Sequence, residues 1–98
     1  MRKITKQAVE AFEKGYNFKS GNTKVVGKAG GIYLKLHDNT IAFKSNEGVI
    51  EISTCGWNTP TTRERLNGIP GVSVNQRNGI LYLNGNRWDN HETLTKVN

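Results

Sequence analysis

Ile32-Tyr33-Leu34-Lys35-Leu36-His37-Asp38-Asn39-Thr40-Ile41-Ala42-Phe43-Lys44 is the stretch that decides the fold. Ile32, Leu34 and Leu36 alternate with Tyr33, Lys35 and His37; past the polar break at Asp38-Asn39, Ile41 and Phe43 alternate with Ala42 and Lys44. A period of two sends successive side chains to opposite faces of a strand, so both runs read as half-buried strands with Ile32, Leu34, Leu36, Ile41 and Phe43 inward. The break is short and of hairpin chemistry, which makes the pair antiparallel. Ala29-Gly30-Gly31 before it and Ser45-Asn46-Glu47-Gly48 after it punctuate the chain in the same way, and Ile50 and Ile52 continue the alternation. Residues Asn22 to Thr54 are therefore expected to form a four-stranded antiparallel meander with one apolar face.

That face needs a cover. Ile4, Ala8, Phe12 and Tyr16 recur at fourfold spacing with Val9 beside them, the stripe of an amphipathic helix. Thr5 is expected to cap it, with Ile4 and Val9 as a hydrophobic staple across the cap, and Gly15 to end it. A helix laid on one face of a meander is an α+β layer arrangement.

Downstream, Thr59-Pro60 matches an N-cap followed by proline at the first helical position, with Thr61 and Glu64 as an alternative capping box one turn in. Asn67-Gly68 is expected to close this short second helix, and Pro70 bars its return. Val72, Val74, the turn at Asn78-Gly79, Ile80 to Leu83 and the turn at Asn84-Gly85 leading to Arg87-Trp88 read as a C-terminal hairpin or small meander. Residues 89 to 98 lack apolar periodicity and are expected to fray. The 98 residues are read as a single domain, 1–98, without linker or repeat.

Composition narrows the function. The chain carries 14 Lys+Arg against 8 Asp+Glu, a formal charge of +6, and is 35% hydrophobic. No apolar run approaches the roughly 18 residues that span a bilayer, and no apolar stretch follows Arg2 and Lys3, so neither a membrane span nor a secretory signal is expected. The lone Cys55 forms no internal disulfide and reads as a small buried hydrophobe rather than a nucleophile. His37 beside Asp38 and His91 beside Glu92 match no metal-ligand spacing, and the glycine turns are not followed by the Lys-Ser/Thr of a phosphate loop. No catalytic residue, metal or cofactor is expected, and the protein is read as a non-enzyme.

Binding chemistry is better supplied. Residues 1 to 49 hold nine basic and four acidic side chains, residues 50 to 98 five and four. Lys24, Lys28 and Lys35 fall in the basic part and suit a polyanion or an acidic protein surface. Arg63, Arg65, Arg77 and Arg87 offer the bidentate contacts to phosphate or carboxylate that lysine cannot make. Arg63 and Arg65 lie two residues apart on a short helix and point to different sides, so at most one faces a partner squarely. Trp57, Trp88, Tyr33 and Tyr82 could join such an interface; the alternative makes Trp57 and Trp88 core residues that close the two sheets, and Trp57, at a sheet exit after Gly56, is expected there.

The run Gly56-Trp57-Asn58-Thr59-Pro60-Thr61-Thr62-Arg63-Glu64-Arg65-Leu66-Asn67 resembles a family of short bacteriophage accessory proteins. Ile4 to Val9, Gly21-Asn22-Thr23, Leu36 to Ala42 and Leu81 to Gly85 with Trp88 are similar too, so the resemblance covers most of the chain. It implies a phage origin and action in the cytoplasm of a bacterial host, and carries over no catalytic residue. By analogy of gene context it suggests a protein that binds and blocks a host protein or ribonucleoprotein complex of defence or nucleic-acid processing, as anti-CRISPR proteins do. The alternative is a direct nucleic-acid-binding module using the basic N-terminal third. Either mode could use a homodimer, because the edges of a small sheet can pair.

Overall fold

A computed structural model describes residues 1–97 of the chain. Its elements run α1 (Lys3–Lys14), β1 (Phe18–Ser20), β2 (Thr23–Lys28), β3 (Gly31–Leu36), β4 (Asn39–Ser45), β5 (Ile50–Ile52), α2 (Pro60–Asn67), β6 (Val74–Arg77), β7 (Ile80–Leu83), β8 (Asn86–Arg87) and β9 (Thr95–Lys96). The fold is α+β. One antiparallel sheet has six strands in the order β1-β2-β3-β4-β5-β9, and a second has three, β6-β7-β8. The expected meander is β2 to β5, extended at one edge by β1 and at the other by β9.

Helix α1 covers one face of the large sheet with Thr5, Ala8, Val9, Ala11 and Phe12, all buried. Ile4 and Tyr16, placed on the stripe by the sequence, sit at its margins, and Tyr16 is largely exposed. The helix also begins earlier than expected. Arg2 is the cap residue, and Thr5 is buried inside the first turn, its hydroxyl engaged by Glu64 and Arg65; the expected Thr5 cap and its staple are overturned because a tertiary partner claims that hydroxyl. Gly15 closes the helix at φ 82, the left-handed conformation that glycine adopts without a Cβ clash.

Helix α2 starts as the sequence indicates, with Thr59 Oγ1 accepting from the Thr62 N–H at 3.1 Å and Pro60 at the first position. Gly68 ends it for a different reason than expected. Its φ is −74, open to any residue, but a Cβ there would lie 2.7 Å from Thr5 Cγ2 and 2.8 Å from Val9 Cγ2. Glycine lets the end of α2 approach the flank of α1. Under this crossing lies Arg65, 2% exposed, its Nε donating to Thr23 Oγ1 at 3.0 Å and its guanidinium to Thr5 Oγ1 at 2.7 Å and Glu64 Oε1 at 2.6 Å. One side chain thereby ties α2 to α1 and β2.

Burial pushes the Glu64 carboxyl up, but hydrogen bonds from the Thr5 hydroxyl, the Arg2 N–H and Arg65 outweigh it and hold the group below the usual carboxylate range. A depressed folded pKa stabilises above the unfolded pKa and is lost as pH falls through the folded value. Thermal unfolding from pH 7 to pH 2 should therefore show a stability gap between wild type and Glu64→Gln at neutral pH that closes below the ordinary carboxylate range. A gap independent of pH would remove ionised Glu64 from the stabilising network.

The tail does not fray over residues 89 to 97. Ile52 pairs with Thr95, the Val97 N–H donates to the Ile50 carbonyl at 2.9 Å, and the His91 carbonyl accepts from the Thr54 N–H at 2.8 Å. Trp88, buried, donates its indole N–H to Thr95 Oγ1 at 2.7 Å. The tail lacks apolar periodicity because backbone pairing and polar contacts hold it. Asn98 lies outside the described residues.

An irregularity in β4 decides which face its later side chains take. Leu34 pairs with Ala42 but Lys35 pairs with Thr40, leaving Ile41 as an extra residue on β4. This bulge lets Ile41 and Ala42, adjacent in sequence, both be buried, and it resets the alternation beyond them. Phe43, expected on the apolar face with Ile41, therefore stands on the opposite face.

Candidate functional site

The face of the large sheet turned away from α1 can be built from the strand register, since cross-strand partners share a face. Thr23, Val25, Leu34, Ala42 and Ile52 point into the core, so their neighbours point out. Across β1, β2 and β3, Lys19 lies opposite Lys24, and Lys24 opposite Lys35. The next outward row runs Val26, Tyr33, Phe43, Glu51, Lys96 from β2 to β9. Lys28 follows along β2, opposite Gly31.

Tyr33 and Phe43 therefore sit side by side on neighbouring central strands, half-buried, with ring centroids 4.8 Å apart and planes tilted by 44°. Lys28 Nζ lies 5.4 Å from the Tyr33 centroid, within cation–π range. Gly31 makes room for the second ring: its φ is 150, and a Cβ there would lie 2.9 Å from Phe43 Cε1 and 2.2 Å from the Lys44 carbonyl oxygen. The result is an aromatic platform bordered by Lys19, Lys24, Lys28 and Lys35 on the β1–β3 side and by Glu51 beside Phe43.

The lysine row leaves an electrostatic signature at the β3–β4 hairpin. His37 and Asp38 form its turn with φ of 51 and 64, and Asp38 meets Lys24 Nζ at 3.1 Å. The hydrogen bond and charge of Lys24 hold the Asp38 carboxyl below its ordinary value, with Lys35 and Lys19 adding to the effect. Like charges directly opposite on a sheet repel, so this row is a standing cost to the free protein.

The arginines fare differently from the lysines. Arg65, proposed from the sequence as a contact, is buried beneath the helix crossing and reaches no partner. Arg63 is half-buried and bonds the Asn58 side chain, linking α2 to the loop before it. Arg77 and Arg87 stand on the exposed face of the small sheet on either side of Tyr82; the Arg77 guanidinium lies 4.6 Å from the Tyr82 centroid, and Arg87 bonds Asp89 at 2.8 Å. The three lysines named from the sequence thus share one face with Tyr33, and two of the four arginines share another with Tyr82.

Two features were missed by sequence reasoning. Phe43 joins the platform only through the bulge. Trp57, expected in the core, is 64% exposed. It stands over a groove of about 570 Å³ with Leu36, Ile41 and Thr54, all buried, at its base and His37, Asn39 and Thr59 among its rim residues. Cys55 is half-buried, with its thiol 3.0 Å from the Thr40 carbonyl oxygen. Among the described residues, no group of three or more His, Cys, Asp or Glu side chains is placed to hold a metal ion, and no helix is long and apolar enough to cross a membrane.

Set against known protein families, residues 1–97 fit the family model described as Kyanoviridae Gp96 protein. No curated protein and no solved structure matches the chain.

Proposed function

The chain belongs to the Kyanoviridae Gp96 protein family, a family of phage proteins, and from that premise we propose that it is a non-enzymatic protein that binds single-stranded nucleic acid on the open face of its large sheet. The observation that carries this reading is the pairing of Tyr33 and Phe43 on adjacent strands within a border of Lys19, Lys24, Lys28 and Lys35. Aromatic faces stack unpaired bases whatever their sequence, and lysines beside them follow the phosphates. A duplex hides its base faces, so the platform suits a single strand.

The site of action is the cytoplasm of the infected bacterium. An anti-defence role, anti-CRISPR activity included, fits this chemistry by one route: covering the nucleic acid that a host ribonucleoprotein complex carries. Mimicry of DNA, which needs an acidic surface, is disfavoured by a formal charge of +6.

Fluorescence anisotropy with a labelled single strand across a salt series tests the reading. With Lys19, Lys24, Lys28 and Lys35 on phosphates, log K should fall against log salt with a slope of about −3, from about −0.7 per phosphate on a single strand. Asp38→Asn removes the carboxylate that neutralises Lys24 and should tighten binding by at most a few-fold, because the pair is exposed. A flat salt response would overturn the proposal.

A further inference from the structure

We infer that the groove beneath Trp57 receives one unstacked nucleobase of the strand that runs along the lysine row. This rests on the nucleic-acid reading of the sheet face and adds a second contact class to it. An exposed tryptophan is normally mobile, but the backbone that carries this one is held. The Trp57 backbone N–H donates to the Thr54 carbonyl at 2.8 Å, its own carbonyl accepts from the Thr59 N–H at 2.9 Å, and Asn58 beside it is bonded by Arg63 and Gln76. The chain reaches it through Cys55 and Gly56, both at positive φ (55 and 80), a turn that lifts residue 57 out of the sheet exit. A large aromatic presented on a pinned loop is pre-organised for a partner.

The groove's chemistry selects that partner. Its base is mostly apolar, through Leu36 and Ile41 beside Thr54, while its lining also carries the Asn39 amide, the Thr61 hydroxyl and the His37 imidazole. Such a site matches a flat heterocycle with an apolar face and hydrogen-bonding edges, and unstacked bases of single strands are recognised in this way. Its volume of about 570 Å³ suits a small ligand. The rim contains no lysine or arginine, so the phosphate lies elsewhere, and the structure places the cations next door. His37 lines both the groove and an adjoining hollow formed with Lys19, Asn22, Lys24 and Asp38. A strand on the lysine row that turns over the His37 hairpin delivers its next base to Trp57.

The test uses single-stranded oligonucleotides, read by tryptophan emission and by anisotropy. Trp88 is buried, so a change in emission on binding reports Trp57. Wild type should be quenched on binding. Trp57→Ala, a surface change, should weaken binding about tenfold, the loss of one stacked base, with the salt slope unchanged because no phosphate contact is lost. Walking a single abasic site along the oligonucleotide should reveal one position that costs wild type the same factor and costs Trp57→Ala nothing. If Trp57→Ala binds as wild type does and no quenching occurs while variants at Tyr33 and Phe43 lose affinity, the groove assignment fails and the sheet-face reading stands. Loss at Trp57 with none at Tyr33 or Phe43 overturns the sheet-face reading and leaves a base site at the groove. Absence of binding to any oligonucleotide overturns both.

Discussion

Arg65→Ala should lower folding stability by about 3–5 kcal/mol, through a cavity in the core together with a half-buried carboxylate left without its cation. The loss has several parts acting together. Glu64 keeps its charge without the guanidinium that meets it at 2.6 Å, and the hydroxyls of Thr5 and Thr23, both fully buried, each lose a donor. The cavity left by the largest fully buried side chain of the molecule opens where α1, α2 and β2 meet. Small domains hold only about 5–15 kcal/mol in total, and in a domain of this size each kcal/mol moves the melting temperature by about 4–8 °C. Chemical denaturation should place the variant near the limit of folding at 37 °C. Arg63→Ala, two residues away and half-buried, is the control and should cost about 1 kcal/mol, the worth of its bond to Asn58. Similar losses at the two positions would mean that Arg65 is not the tie between the helices.

The second large effect concerns binding. Tyr33→Thr combined with Phe43→Thr removes both rings while keeping residues that favour strands, so the sheet should survive. Stacking is worth about 1–3 kcal/mol per base, and two lost rings should weaken single-strand binding by at least about 30-fold. The salt slope should stay near its wild-type value, because the lysines still meet the phosphates. Paired Lys24→Glu and Lys35→Glu changes should do the reverse, flattening the slope. If the ring variant, confirmed folded by circular dichroism, binds as tightly as wild type, the platform is not the binding surface.

What the sequence disclosed was whatever local chemistry determines. The Asn78-Gly79 and Asn84-Gly85 turns form with paired positive φ values, as hairpins of this kind require. Thr59-Pro60 starts α2 and Gly15 ends α1 where their residue types indicate. Two of the misplacements involve partners distant in the chain. Thr5 looks like a cap until Glu64, 59 residues on, takes its hydroxyl. Gly68 looks like a left-handed cap, yet glycine is required there by Thr5 and Val9 across the helix crossing. Phe43 looks inward because alternation counted from Ile41 assumes an unbroken register, and only the pairing of Lys35 with Thr40 shows that β4 carries one residue more than β3 can match. The consecutive apolar pair Ile41-Ala42 was the one visible sign of that bulge.

For the site, Lys24, Lys28 and Lys35 were legible as charge in the basic part of the chain, and alternation puts Tyr33 and Lys35 on one face of β3; only the register with β2 brings Lys24 and Lys28 to the same face. Arg63 and Arg65 were separable only in part: a two-residue spacing says that they diverge, and burial decides which one is lost to the interior. Trp57 is expected in the core, but Gly56-Trp57 after a strand is also compatible with a ring lifted away from it, and at 64% exposure that is the ring's position. The hydrogen bonds at Thr54 and Thr59 decide between them.

The row Lys19, Lys24, Lys35 sets charge against charge on three adjacent strands, with Asp38 paired only to Lys24 at its centre. An anionic strand laid along the row removes that repulsion, so whatever binds there also strengthens the fold, by an amount that grows with its concentration relative to Kd. In a cell, transiently unfolded molecules are the ones that proteases clear. On the proposed mode of binding, the unoccupied protein would be the shorter-lived form, and its abundance would follow the amount of anionic strand it has found.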